Sequence, residues 1–142
     1  MEALEYLEKI RKYDRLIENR RLEIEDLRSC ASLPAGFSSD TKVQTSRRPD
    51  RAENLIVSYL DREAELQEDV IVFWKKRQEI IRTIEQLKTA EYAVLYSTFV
   101  EGLGLQEVAD QNDRSYTWAA QIKKKGLDSL QKILDEREKH EL

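Results

Sequence analysis

Apolar positions recur at helical spacing through residues 2–31, with no glycine or proline to interrupt them. Every seventh residue gives Ala3, Ile10, Ile17, Ile24 and Ala31, and the companion column gives Tyr6, Tyr13, Arg20 and Leu27. Two columns offset this way form the a/d seam of a coiled coil. Residues 51–88 repeat the pattern, with Tyr59, Leu66, Phe73, Ile80 and Leu87 in one column and Ile56, Glu63, Val70, Arg77 and Ile84 in the other. Asp50 is placed to cap this second helix, with Glu53 completing a capping box. Between them, residues 32–50 hold both prolines and many Ser and Thr, and read as a flexible loop. Its Arg47–Arg48 pair is read first as solvated charge and second as a phosphate contact.

The two seams complement each other in an antiparallel hairpin. The expected register sets Ile24 against Tyr59, Ile17 against Leu66, Tyr13 against Val70 and Ile10 against Phe73. It also sets Arg20 against Glu63, where both columns turn charged, and Tyr6 against Arg77 as a cation–π contact. A coiled coil between two chains through the same seam is the rival arrangement. Trp74, beside Phe73, is expected in the core.

Residues 91–136 change character. The expected elements are a helix from Glu91 to Glu101 stopped by Gly102, a short helix from Leu105 to Gln111, and a tight turn at Asn112–Asp113. A last helix follows, capped by Ser115 and running to about Leu134. This is the spacing of a helix-turn-helix. Leu105, Val108 and Ala109 pack the first short helix, Ala109 being small because the helices cross there. Asp113 takes the positive φ that the turn requires. Ala119, Ile122 and Leu127 return to the core, leaving Ser115, Tyr116, Thr117, Ala120, Gln121 and Lys124 on the outer face. In such a unit the outer residues at the start of the second helix meet base edges. Gln121 suits an adenine edge and Thr117 a base or a thymine methyl. Arg114, Lys123, Lys124 and Lys125 suit phosphates, which supply affinity rather than sequence reading. Residues 137–142 read as a charged, frayed tail.

Charge sharpens this picture. The chain carries 28 acidic and 24 basic residues, a net −4, so nucleic-acid binding must rest on a local patch. Arg114 to Lys125 holds four basic residues and no acidic one. The charged share of 37% suits helices with wide solvated faces. One His and one Cys, no glycine-rich phosphate loop and no metal-ligand spacing argue against an enzyme, a cofactor or a metal. Cys30 reads as a small filler at a helix end and His140 as a tail residue. With no signal peptide and no apolar run of membrane length, a cytoplasmic protein is expected.

The stretch GLGLQEVADQNDRSYTWAAQIKKKGLDSL resembles region four of sigma-70-type factors, which reads the upstream promoter element. The match runs from Gly104 through Leu130. Over nearly the whole chain, EYLEKIRKYDRLIENRRLEIEDLR, the VQTSRRPD loop and the S-Y-x-W start of the last helix resemble small bacteriophage and prophage proteins of Gram-positive bacteria. Those are described as sigma-like, ArpU/RinA-type regulators of late genes. The resemblance implies a phage or prophage transcriptional regulator that binds double-stranded promoter DNA, with host RNA polymerase as a second candidate partner. It does not imply a complete sigma factor. Asp113 stands where the family has glycine, Asn112 and Arg114 stand at apolar positions, and Ala119 replaces a larger residue. A small terminase subunit, or a protein-interaction module acting through the hairpin, remains the alternative, as does the choice between monomer and dimer.

Overall fold

The computed structural model describes residues 1–31 and 49–141. It is all-α, and no strand occurs among the described residues. Five α-helices follow in order: α1 (Ala3–Ala31), α2 (Pro49–Ile84), α3 (Thr89–Leu95), α4 (Leu105–Gln111) and α5 (Tyr116–Glu141). A single π turn, Tyr96–Val100, continues α3. The loop expected at 32–50, with Arg47–Arg48, lies outside the described residues up to residue 48. α2 starts at Pro49, ahead of Asp50, where a cap was expected. Proline suits a first helical turn because its missing N–H would have no partner there.

The internal contacts divide the chain into two compact units, Met1–Asp14 with Trp74–Leu142, and Arg15–Phe73. The division differs from the expected boundary at residue 90, since the start of α1 and the end of α2 belong with the C-terminal helices.

In the unit Arg15–Phe73, α1 and α2 run in opposite directions. Arg20 Nε donates to Asp69 Oδ2 at 3.2 Å, Arg62 Nη2 to Glu23 Oε1 at 3.1 Å, and Arg28 Nε to Glu63. Among the described residues of this unit, the buried hydrophobics are Ile24 and Leu66. Exposed ion pairs add only ~0–1 kcal/mol each, so this unit rests on a thin apolar seam. The expected Arg20–Glu63 pair does not form, because each residue has another partner. The observed pairs lie about one heptad further along α2 than expected. A shift of one heptad returns the same apolar columns to the seam, so the hydrophobic pattern does not separate the two registers. The ion pairs show which of the two the chain adopts. Ile56, expected in a seam column, is exposed, as is Cys30.

In the other unit, one apolar cluster joins four helices. Ala3, Leu7 and Ile10 of α1 pack with Ile80, Ile81 and Ile84 of α2, Leu95 and Phe99 of the α3 segment, and Leu130 and Leu134 of α5. Polar contacts set its edges. The Arg77 guanidinium takes Asp14 at 2.6 Å, not the Tyr6 ring expected for it. The Thr83 hydroxyl donates to the Glu79 carbonyl at 2.8 Å, so its oxygen accepts from the Tyr6 hydroxyl at 3.0 Å. Arg137 in turn donates to the Tyr6 oxygen at 3.5 Å. The free backbone N–H of Ala3, at the start of α1, donates to Gln131 Oε1 at 2.8 Å. A helix start leaves such donors without an internal partner, and here α5 supplies one. These contacts accompany the passage of α5 beyond Leu134 to Glu141, through the expected frayed tail. Trp74 is exposed rather than in the core, because one residue beyond Phe73 turns it ~100° around the helix.

The tightest approach is between α5 and α3. A Cβ built on Gly126 would lie 3.0 Å from Leu95 Cδ1 and 3.5 Å from Glu91 Cβ. Leu95 is itself fully buried, so it has little room to yield. Ser129 Oγ, one turn on, donates to the buried Glu91 carboxylate at 3.3 Å. Gly126→Val is expected to lower stability by about 2 kcal/mol in thermal or urea unfolding, as overpacking of a filled core does. Gly126→Ala is expected near neutral, since its gain in helix propensity of up to ~1 kcal/mol meets the same contact. A stabilising Gly126→Val would mean that α3 and α5 are not in close contact.

Candidate nucleic-acid interface

The site is built from two chain reversals and a helix cap that fix where α5 begins. Gly102, at φ 75°, ends the α3 segment, and the Leu103 N–H returns to the Ser97 carbonyl at 3.0 Å. Glycine takes this left-handed conformation without a steric penalty. α4 then starts after Gly104 and buries Val108 and Ala109 completely.

The second reversal follows α4. The Arg114 N–H donates to the Ala109 carbonyl at 2.9 Å and the Asp113 N–H to the Asp110 carbonyl at 3.2 Å. This six-to-one and five-to-two pair, with Asp113 at φ 54°, is a Schellman ending. The Asn112 side chain adds a bond from Nδ2 to the Val108 carbonyl at 2.7 Å. The Asn112 side chain thus satisfies an open helix end.

The third feature is the start of α5. Ser115 Oγ accepts from the Trp118 N–H at 3.1 Å, which is an N-cap bond to the third helical residue. Its carbonyl accepts from the Ala119 N–H at 3.2 Å. Ala119 is fully buried, whereas the expected core residues Ile122 and Leu127 are partly exposed. The deeper α5 contacts come from Gly126, Leu130 and Leu134.

With the helix set this way, Tyr116, Thr117, Gln121, Lys124 and Lys125 are exposed and Ala120 is partly exposed. Residues four apart share a face, so Tyr116, Ala120 and Lys124 form one row and Thr117, Gln121 and Lys125 the next. Ser115 stands at the head of both with its hydroxyl engaged as the cap. Arg114 is exposed, its guanidinium carbon 5.6 Å from the centre of the Trp118 ring. Lys123 is half-buried and its Nζ lies 5.5 Å from the centre of the Phe99 ring. Such contacts hold a cation in place without neutralising it. Among the described residues, no carboxylate forms an ion pair with Arg114, Lys123, Lys124 or Lys125.

The sequence did not reveal Phe99 and Trp118 as platforms for these cations. Phe99 lies far from Lys123 in the chain, and no spacing rule links them. Arg114 and Trp118 are four apart, a spacing that puts both on one side of the start of α5. Among the described residues no group of His, Cys, Asp and Glu is arranged to hold a metal ion, and no described helix is long and apolar enough to cross a membrane.

Asp113→Gly is expected to raise stability by about 0.5–1 kcal/mol, because glycine enters the left-handed region without a Cβ clash. Asp113→Val is expected to lower it by about 1–2 kcal/mol. Chemical unfolding of the two variants beside the parent checks both signs. Compared with known proteins, the chain matches no family model, no curated protein and no solved structure.

Proposed function

We propose that this protein is a phage or prophage transcriptional regulator that reads promoter DNA through a helix-turn-helix formed by α4, the Asp113 turn and α5. One observation carries the reading. A Schellman turn and a serine cap present the first two turns of α5 outward, with two rows of mostly polar residues and four cations that pair with no carboxylate among the described residues. A major groove admits a helix of this kind, base edges meet the residues near its start, and phosphates meet the flanking cations. In this reading Thr117 and Gln121 face bases, while Arg114, Lys124 and Lys125 hold phosphates. Tyr116 and Ala120 line the row between. Lys123 keeps its stem against Phe99 and lends its charge to the same side. α1 and α2 then serve as an arm, with host RNA polymerase as a candidate partner. The protein acts by binding rather than catalysis, in a bacterial cytoplasm.

A second reading has an observation of its own. α2 exposes Leu60, Ile71, Val72 and Trp74, which suits a module, or a small terminase subunit, that works through protein contacts along its long helices.

Binding to duplex fragments tiled across the DNA around its own gene separates the two. The regulator reading predicts selective binding to one fragment, falling steeply with salt. With about three phosphates neutralised by the lysines, Lys123→Ala/Lys124→Ala/Lys125→Ala is expected to flatten the log–log salt slope by about 2–3. Gln121→Ala is expected to relax selectivity at one base pair, costing ~1–3 kcal/mol there. Equal, weak binding to all fragments, unchanged by the lysine substitutions, would favour the protein-contact reading.

A further inference from the structure

At the start of α5 the outward face carries Tyr116, Thr117, Ala120 and Gln121, ahead of the lysines. Ala119, Gly126 and Leu130 turn inward, which sets Thr117 and Gln121 on the opposite side of the helix. Both are exposed, and Ala120 beside them is partly exposed. The Ser115 hydroxyl is engaged as the helix cap, whereas neither Thr117 nor Gln121 commits its side chain to a hydrogen bond among the described residues.

Each base pair shows its own pattern of donors, acceptors and methyl groups in the major groove, and these residues fit one class of pair. Guanine offers two acceptors, which Arg or Lys matches, and cytosine offers an amino donor, which a carboxylate matches. From Tyr116 to Gln121 there is no Arg, Lys, Asp or Glu. Arg114, just ahead of the helix, has its guanidinium carbon 5.6 Å from the centre of the Trp118 ring. Lys123 has its Nζ 5.5 Å from the centre of the Phe99 ring. Two of the four cations are thereby held on rings rather than free to seek a guanine. Lys124 and Lys125 lie a turn further on, past the helix start that meets base edges. Adenine offers a donor beside an acceptor, and the Gln121 carboxamide carries the complementary pair. Thymine offers a methyl group, and the methyls of Thr117 and Ala120 give it an apolar surface.

Resting on the reading of α5 as a recognition helix, we propose that this helix selects A·T pairs. Gln121 meets an adenine, while Thr117 and Ala120 pack against thymine methyls. Four residues of helix span ~6 Å, close to two duplex steps of ~3.4 Å, so the run it reads is about two or three consecutive pairs. Guanine and cytosine are disfavoured there because they meet no matching group.

The test is selection of duplexes from a random-sequence pool on the full chain, followed by titration of the winning duplex. The enriched element is expected to hold a run of A·T pairs. Replacing its thymines by deoxyuridine keeps the pairing but removes the methyls, and is expected to weaken binding about fourfold for each methyl in contact. Gln121→Ala is expected to lose the preference at one pair of the run. Gln121→Arg is expected to change that pair to G·C, since a guanidinium matches the two guanine acceptors. Residue 121 is exposed, and circular dichroism confirms that both variants remain helical. Enrichment of G·C at the pair that Gln121→Ala relaxes, or binding indifferent to the loss of every thymine methyl, would overturn the proposal and leave α5 a recognition helix. Enrichment of no sequence at all would remove the recognition helix itself, and the A·T preference with it.

Discussion

The close contact of Gly126 with Leu95 sets the position of α5, and most of the C-terminal unit follows from it. With no side chain at residue 126, the two helices approach until Leu95 fills the space where a Cβ would stand. Glu91 and Ser129 then come within hydrogen-bonding distance. Leu130 and Leu134 reach the cluster formed by Leu7, Ile10 and Ile84. α5 is thus anchored along its middle and end, while its first turns, before Gly126, keep an open outer face. Helices packed this way are displaced as rigid bodies rather than bent, because filled cores resist small changes of volume.

The local chemistry at Asp113 and Ser115 complements this anchor. Two backbone bonds and a positive φ end α4 within a few residues, and one hydroxyl starts α5. The reversal costs strain at a residue other than glycine, offset by the bonds that close the helix end. Arg114 and Lys123 rest on aromatic rings rather than carboxylates, so their charge remains available. In the proposed role this matters because cations paired internally release few counterions on meeting DNA.

The sequence made the helices legible because long repeats at seam spacing have few other physical solutions. It made the Asp113 turn and the Ser115 cap legible for a local reason: few residues accept positive φ or cap a helix. The pairing of α1 with α2 was not legible to within one heptad, since the same columns meet in either register. Ion pairs such as Arg28 with Glu63 and Arg77 with Asp14 mark the register adopted, and they link residues that no periodicity connects. Trp74 was misplaced because adjacency to Phe73 in sequence means separation around a helix. The extent of α5 was missed for a related reason. Its last turns contact residues from the start of α1, as Arg137 does with Tyr6, and charge pattern alone reads such a segment as frayed. The paired rows on α5 were legible as positions, whereas the Phe99 ring beneath Lys123, far away in the chain, was not.

The most direct test of this account is a backbone amide map of the protein by NMR, recorded while adding the duplex that it binds best. The account predicts shifts confined to the Asp113 turn and the first turns of α5, through about Lys125, with the exposed apolar residues of α2 unmoved. Shifts along Leu60, Ile71 and Trp74 instead, or none on α5 with any duplex, would contradict it.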